Sequence, residues 1–198
     1  MRAIEFFIYS RAARTAAGTD DPALNEEHWS YMDAFAAGMI ARGPTLGADR
    51  ATWTGSLHIV DLPNLDAARE FVEREPYNRA GLFERHLIRR FRNVLGRSMW
   101  EFPQQSVDPR FLVIAHLRAA EGDQAPAGMQ SDLLTLQPER LIVHGELLTA
   151  DEAQPAGVAF ALHAPTREHV DALLRDARAH NGERFELEIL DWEFGGRR

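Results

Sequence analysis

The first half of the chain combines short, partly apolar segments with longer segments of helical periodicity. The short segments predict strands at residues 4–10, 57–62 and 86–92, with one further strand, of unassigned bounds, before residue 57. A helical period, with apolar residues three or four positions apart, predicts helices at residues 25–40 and 64–73. This half therefore mixes short strands with amphipathic helices.

Turn residues bound these elements. Gly43-Pro44 follows the first helix, and either Asn64 or Asp66 can cap the second one. Pro76 ends that helix, because the residue before a proline is pushed out of the helical region.

The second half repeats the same order of elements. Its predicted strand, weak helix, strand, strand, helix and strand are residues 111–117, 131–137, 140–147, 157–163, 167–179 and 185–192. A polar stretch bracketed by prolines, residues 102–109, has the composition of a linker between the halves.

A comparison of the sequence with itself supports this division. At an offset of 102 residues, the segment 42–49 matches 144–151 at Gly, Leu, Ala and Asp, and Gly55 falls on Gly157. An offset of 107 places residues 11–13 on residues 118–120. We interpret the matches as an old duplication, which predicts two domains at residues 1–102 and 110–198.

This order of elements predicts the fold class α+β, as tandem ferredoxin-like repeats of the dimeric α/β-barrel type. Helices would cover one face of each antiparallel sheet and leave the other face bare. The bare faces would then pack face to face as an intrachain pseudo-dimer. The alternative is that the halves pack otherwise, and a homodimer of the whole chain stays open.

Composition excludes several kinds of chemistry. The 198 residues carry 22 basic and 30 acidic side chains, a formal net charge of -8, so we expect no nucleic-acid partner. The sequence has no Cys and its basic residues are all Arg, which excludes thiolate and Lys chemistry. No metal-binding spacing, phosphate loop or dinucleotide motif is present, so we expect no metal and no cofactor. Without a membrane span or signal peptide, we expect a cytoplasmic protein and no membrane partner.

Four blocks of the first half resemble the YciI-like family, also called YCII-related proteins. They are residues 28–32 (HWSYM), 42–44 (RGP), 55–60 (GSLHIV) and 76–83 (PYNRAGLF). The resemblance covers roughly residues 3–95, whereas residues 110–194 are similar only in topology. It implies a small ferredoxin-like protein that commonly dimerises, with a His and an Asp as a catalytic dyad. A related group acts as dehydrochlorinases on chlorinated hydroxyhydroquinones.

The family's dyad maps onto His28 and Glu75. Glu75 departs from the family, because it keeps the carboxylate of the Asp but adds a methylene group. In this interpretation His28 is a base near the start of the first helix, where the helix N-terminus favours the neutral imidazole. At the offset of 102, Gln130, Val158 and Ala177 stand where His28, Ser56 and Glu75 stand. We therefore expect the main polar pocket to be lined chiefly by the first half.

Five further residues are assigned to substrate binding, namely Tyr31, Ser56, His58, Tyr77 and Arg90. Tyr31 lies one helical turn after His28, although such a residue is more often part of the core. Ser56 and His58 share one sheet face, which we expect to be the bare one, with Leu57 and Ile59 under the helices. For the run of Arg89 to Arg92, the pattern leaves open which Arg faces the pocket, and an ion pair between the halves is the alternative.

Two functions remain open from the sequence. The first is an enzyme without a cofactor that acts on a small aromatic or oxygenated ring by proton transfer, isomerisation or elimination. The second is a small-ligand-binding or assembly protein that has the fold without the chemistry.

Overall fold

The computed structural model describes residues 4–14, 21–102, 107–118, 138–151, 153–181 and 184–196. The strands are β1 (Ile4–Ala12), β2 (Met39–Leu46), β3 (Trp53–Leu62), β4 (Phe83–Asn93), β5 (Arg110–Leu117), β6 (Leu141–Leu148), β7 (Pro155–His163) and β8 (Phe185–Trp192). The α-helices are α1 (Pro22–Asp33), α2 (Leu65–Arg74), α3 (Pro76–Arg79) and α4 (Arg167–Asn181). None of the described helices has the length and apolar character needed to cross a membrane.

The eight strands form one closed antiparallel barrel, in the order β1-β3-β2-β8-β5-β7-β6-β4. Each half contributes four strands in the same order, β4-β1-β3-β2 from the first and β8-β5-β7-β6 from the second. Two short ladders join the halves, where β2 pairs with β8 and β4 pairs with β6. The bare faces of the two sheets therefore meet inside a barrel, which confirms the predicted fold class.

Side chains along each strand alternate between the inside and the outside of the barrel, which gives one interior core and two outer cores. The interior core contains Phe7, Leu57, Leu112 and Trp192, drawn from both halves. The neighbouring positions point outward and pack beneath the helices, as Phe6 does in the first half and Val113 in the second. Each half thus has its own outer core, and the two halves share one interior core.

The first predicted helix is too long. The helix α1 ends at Asp33, a 3₁₀ turn follows at Ala36–Gly38, and Met39 already belongs to β2. Met39 packs in the same outer core as Met32, so the apolar spacing continued although the helix had ended.

The turn predicted at Gly43-Pro44 is also wrong, because both residues lie within β2. Pro44 has no backbone N–H to donate, which confines proline to strands with an incomplete partner on one side. Here β2 has a ladder of only two residues with β8, Thr45 to Trp192 and Leu46 to Asp191. The strand can therefore accept a proline that a fully paired central strand would reject.

The pairing of residues between neighbouring strands shows that one of the two sequence offsets is wrong. Arg11 pairs with Gly55 and His116 pairs with Gly157, so these two pairs occupy the same place in their halves. The offset of 102 agrees with this register, whereas the offset of 107 is wrong because it would match Arg11 with Arg118. The predicted weak helix at 131–137 lies outside the described residues.

Candidate functional site

His28 lies in the second turn of α1, further from the helix start than the sequence predicted. The helix begins at Pro22, and the Asp21 side chain caps it by accepting hydrogen bonds from the backbone N–H of Ala23 and Leu24. Because the helix dipole acts mainly within the first turn, the effect that the sequence analysis expected from the helix N-terminus does not apply at this position.

Glu75 meets His28 at the junction of α2 and α3. His28 Nδ1 lies 2.6 Å from Glu75 Oε1. The second carboxylate oxygen, Oε2, accepts a hydrogen bond of 2.8 Å from the backbone N–H of Asn78, which caps α3. The longer side chain of Glu75 thus reaches the imidazole while it also holds the next helix in place.

Tyr77 fixes the plane of the imidazole. Its ring is stacked on His28, with ring centroids 4.0 Å apart and an interplanar angle of 9°. The Tyr77 hydroxyl donates a hydrogen bond of 2.7 Å to Asn25 Oδ1, one turn before His28 on α1. Two contacts, from Glu75 and from Tyr77, therefore hold the His28 ring in one orientation.

Ser56 and His58 lie near His28, but on the opposite sheet face from the one that the sequence predicted. Leu57 and Ile59 point into the barrel, so the bare face takes the apolar pair and the helix side takes Ser56 and His58. The interior needs the apolar residues because both bare faces are buried against each other there. His58 is buried, and its burial, together with nearby His28, lowers its pKa well below the usual value.

Tyr31 and Arg90 do not join this group. The Tyr31 hydroxyl donates to the backbone oxygen of Phe71, and burial raises the pKa of Tyr31 to about 12. Arg90 donates from Nε and Nη2 to the backbone oxygens of Ala150 and Asp151, so it connects the halves. Tyr31 therefore contributes to the packing of α1 on α2, and Arg90 contributes to the junction between the two halves of the barrel.

His28, but not Glu75, lines a cavity of about 220 Å³. Its wall is formed by Asn25, His28, Trp29, Arg42, Gly43, Pro44, Trp53, Ser56, His58, Tyr77, Gly195 and Gly196. Except for Gly195 and Gly196, these residues belong to the first half. The expectation for the main polar pocket does not hold, because a larger polar cavity lies at one end of the barrel, away from His28, Ser56 and Glu75, and the second half supplies part of its lining.

The counterpart of the dyad in the second half is only partly described. Val158, at the position of Ser56, is buried in the apolar outer core of its half. Gln130 and the side chain of Ala177 lie outside the described residues.

Arg42 is a wall residue that the sequence analysis did not assign to the site. Its Nη2 donates 3.1 Å to Asp33 Oδ1 and also contacts the backbone oxygen of Gly196. Its Nη1 is buried and has no hydrogen-bond partner within the described part of the chain. Arg42 belongs to the Arg42-Gly43-Pro44 block that carries the family resemblance, which was the available signal. An unpartnered, charged donor in a cavity wall is suited to a negatively charged oxygen.

Within the described ranges, no group of three or more His, Asp and Glu side chains is arranged to hold a metal ion. The side chains at the cavity provide an imidazole paired with a carboxylate, a guanidinium and aromatic walls.

Comparisons with known proteins agree with the fold and with the first half. The model of the YCII-related domain matches residues 4–92. A 5-chloro-2-hydroxyhydroquinone dehydrochlorinase from Burkholderia phenoliruptrix AC1100, solved with 2,5-dihydroxybenzoquinone, is 27% identical and covers 48% of this chain and 100% of its own, with a TM-score of 0.43. The comparison with curated proteins returned no match.

Other solved structures match both halves together. A chlorite dismutase variant from Candidatus Nitrospira defluvii is 12% identical, covers 96% of this chain and 90% of its own, and has a TM-score of 0.60. A haem-binding protein from Thermus thermophilus is 10% identical, covers 97% of this chain and 92% of its own, and has a TM-score of 0.51. At these identities the similarity concerns the fold alone.

Proposed function

We propose that the protein is a cofactor-independent enzyme that moves a proton on a small ring compound, and that residues 4–92, which match the model of the YCII-related domain, carry this activity. The observation that carries the proposal is the 2.6 Å contact between His28 Nδ1 and Glu75 Oε1, in which His28 lines a cavity and Glu75 lies outside its lining. A histidine held by a carboxylate is a common general base in enzymes.

The two residues have different roles in this proposal. With Nδ1–H donated to the Glu75 carboxylate, Nε2 is the nitrogen that remains to take a proton from the substrate. Once His28 has accepted that proton, the negative charge of Glu75 stabilises the imidazolium. Stacking on Tyr77 keeps the ring in the same plane throughout.

The cavity suggests the class of substrate. A cavity of about 150 Å³ is known to hold benzene, so about 220 Å³ suits a single ring with a few substituents. The Trp53 and Tyr77 rings provide flat apolar walls, and the Ser56 hydroxyl provides a polar contact. Arg42 Nη1 would receive the oxygen that gains negative charge as the proton leaves carbon. Return of the proton at another carbon completes an isomerisation, and departure of a leaving group completes an elimination.

Hydrogen–deuterium exchange tests this proposal without knowledge of the natural reaction. Cyclic 1,3-diketones, hydroxyquinones and hydroxybenzoates are incubated with the protein in D₂O, and the loss of carbon-bound protons is followed by NMR. We expect the protein to accelerate exchange of at least one of these classes above the rate in buffer alone, and His28→Gln should reduce this acceleration about 10² to 10⁴-fold. Circular dichroism at the assay temperature establishes that the variant is folded.

A matched control is His169→Gln, which removes a histidine from α4 in the other half and should leave the exchange rate unchanged. Exchange that persists in His28→Gln contradicts the role of His28. A compound that raises the melting temperature of the wild type but does not exchange supports the alternative, a binding protein without catalysis.

A further inference from the structure

A second cavity, of about 570 Å³, lies inside one end of the barrel and is separate from the dyad. Side chains at interior positions of β1 and β4, from the first half, and of β5 and β8, from the second half, line this cavity. Strand alternation aims Tyr9 and Arg11 of β1 and Leu87 and Arg89 of β4 inward, continuing the rows of Phe7 and Phe91. This end of the interior is polar, whereas the core beyond it is apolar.

The two halves bring opposite charges to this cavity. The first half contributes Arg11, Arg85 and Arg89, while the second contributes Glu186 and Glu188 together with His116. The three arginines exceed the two carboxylates by one positive charge, before any protonation of His116.

The Glu188 carboxylate is already neutralised within the protein. Arg11 forms an ion pair with Glu188 Oε1, and His116 Nε2 lies 3.8 Å from Glu188 Oε2. The nearby His116 and the charge of Arg11 lower the pKa of Glu188, so this group is ionised and committed to these partners.

Arg89 and Arg85 are the two arginines of the cavity that are not paired with Glu188. Arg89 is partly buried and donates from Nη1 to the backbone oxygen of Ile88, a neutral group. Neither Arg89 nor Arg85 has a carboxylate partner among the residues that the structure describes. Moreover, Arg85 pairs directly with Arg11 across β1 and β4, and like charges in that position destabilise a sheet. A bound anion would remove this repulsion.

We propose that this barrel-end cavity binds a small oxyanion ligand, a carboxylate or a phosphate ester, with Arg89 as its principal contact and Arg85 at its mouth. A volume of about 570 Å³ lies within the range of small-molecule sites and is larger than a single ring requires. The ligand therefore carries a body beyond its anionic group, which packs against Leu87 and the Tyr9 ring.

Two probes test the site, inorganic phosphate and citrate, each compared with sodium chloride at equal ionic strength. Isothermal titration calorimetry and the melting temperature should both report binding, because a ligand of the folded state raises its stability. A response to phosphate alone identifies a phosphate site, and a response to citrate alone identifies a carboxylate site. Increasing chloride should weaken either response by screening.

Variants with opposite expected effects make the test sharper. Arg89→Gln should weaken binding about 10- to 100-fold, the usual value of a charged hydrogen bond. Glu186→Gln removes a negative charge from the cavity and should strengthen binding several-fold. Arg69→Gln, an exposed arginine on α2, is the matched control and should bind like the wild type.

His28→Gln should also bind like the wild type, which separates this site from the proposed catalytic one. The inference is overturned if neither probe binds the wild type more strongly than chloride does. It is also overturned if Arg89→Gln and Arg89→Lys, both folded, bind as tightly as the wild type.

Discussion

Glu75 uses each of its carboxylate oxygens for a different structural task, although it is only 3% exposed. One oxygen accepts from His28 and the other caps α3 through the backbone N–H of Asn78. Glu75→Ala should therefore lower the free energy of unfolding by about 2 kcal/mol, because it leaves buried donors without partners. Urea denaturation measures this loss.

The control for Glu75 is Glu73→Ala, which changes an exposed acid two residues earlier, in α2, and should change stability by no more than about 0.5 kcal/mol. Glu75→Gln keeps an oxygen that can cap α3 but loses the charge that stabilises a protonated His28. It should retain most of the stability and lose activity. Equal stability of Glu75→Ala and wild type would contradict the double role.

His144 is a buried histidine that makes stability depend on pH. Burial lowers the pKa of His144 to about 4, and neither ring nitrogen has a hydrogen-bond partner among the described residues. In the unfolded chain His144 binds a proton near pH 6.5, whereas in the folded protein it does so only near pH 4. The free energy of unfolding therefore has its full value above pH 6.5 and decreases as the pH falls from 6.5 to 4.

His144→Leu removes this dependence. Relative to the wild type, the variant should gain about 2 kcal/mol of unfolding free energy as the pH is lowered from 7 to 5. Urea denaturation at the two pH values measures the gain. His58 is unchanged in both proteins, so its own pH dependence cancels in the difference. Parallel pH curves would show that His144 is not held in its neutral form.

The sequence allowed His28, Tyr77, Ser56 and His58 to be predicted as neighbours in the wall, but not Arg42. His28 and Glu75 followed from the family blocks, and the structure places them in contact. The face of Ser56 and His58 could not be inferred, because a strand buried on both sides gives no polar side to mark the interior. Arg42 was missed because its strand was interpreted as a turn at Gly43-Pro44.

At the scale of elements, strands were predicted more reliably than the connections between them. β1, β4, β5, β6, β7 and β8 lie within a few residues of their predicted positions, since each contains a short run of apolar residues. The first helix was extended to Ile40 because Phe35 and Met39 keep contact with the same outer core after α1 has ended. Apolar periodicity alone cannot detect a helix end of this kind, because it shows which side chains face the core and not where the backbone stops being helical.

The junctions between the halves depend on two glycines at equivalent places, Gly43 on β2 and Gly145 on β6. A Cβ atom on Gly145 would lie 2.4 Å from the Phe91 ring and 2.5 Å from the backbone oxygen of Arg92. On Gly43 it would lie 1.8 Å from the backbone oxygen of Glu193. Both distances to backbone atoms are too short to be relieved by a side-chain movement, so the closing strands require glycine.

Gly145→Ala should accordingly lower the free energy of unfolding by about 2 kcal/mol or more, as overpacking of a rigid contact does. Denaturant unfolding followed by tryptophan fluorescence is the measurement. The control is Gly196→Ala, where an added Cβ meets nothing within 4 Å and stability should stay near that of the wild type. A Gly145 variant as stable as the control would mean that the β4–β6 joint can open to accept a methyl group.

At the scale of the whole molecule, the halves are alike in topology and unlike in charge. The interior register makes Arg11 equivalent to His116, and Arg85 equivalent to Glu186. A sequence comparison at one fixed offset could not reveal this complementarity, because the strands of the two halves differ in their offsets. The second half therefore supplies both an apolar face and the acids that balance the arginines of the first.

This difference in charge predicts how residues 1–102 would behave without the second half. The exposed interior face, with Phe7, Leu57 and Phe91, favours association with a second copy, because burial of apolar surface drives it. A two-fold dimer could also form both strand joints, since β2 of each copy would meet β4 of the other. However, it would bring two sets of the same three arginines together and no glutamate.

We therefore expect residues 1–102 to dimerise weakly at low ionic strength and more strongly as sodium chloride is raised, because salt screens the repulsion. Light scattering after size-exclusion chromatography measures the mass. Arg85→Glu, which installs the acid that the second half has at the equivalent position, should give the dimer already at low salt, and Arg69→Glu on the outer surface should not. The opposite result is a fragment that stays monomeric at every salt concentration, both as wild type and as Arg85→Glu. It would mean that the second half contributes more to barrel closure than an apolar face and complementary charge.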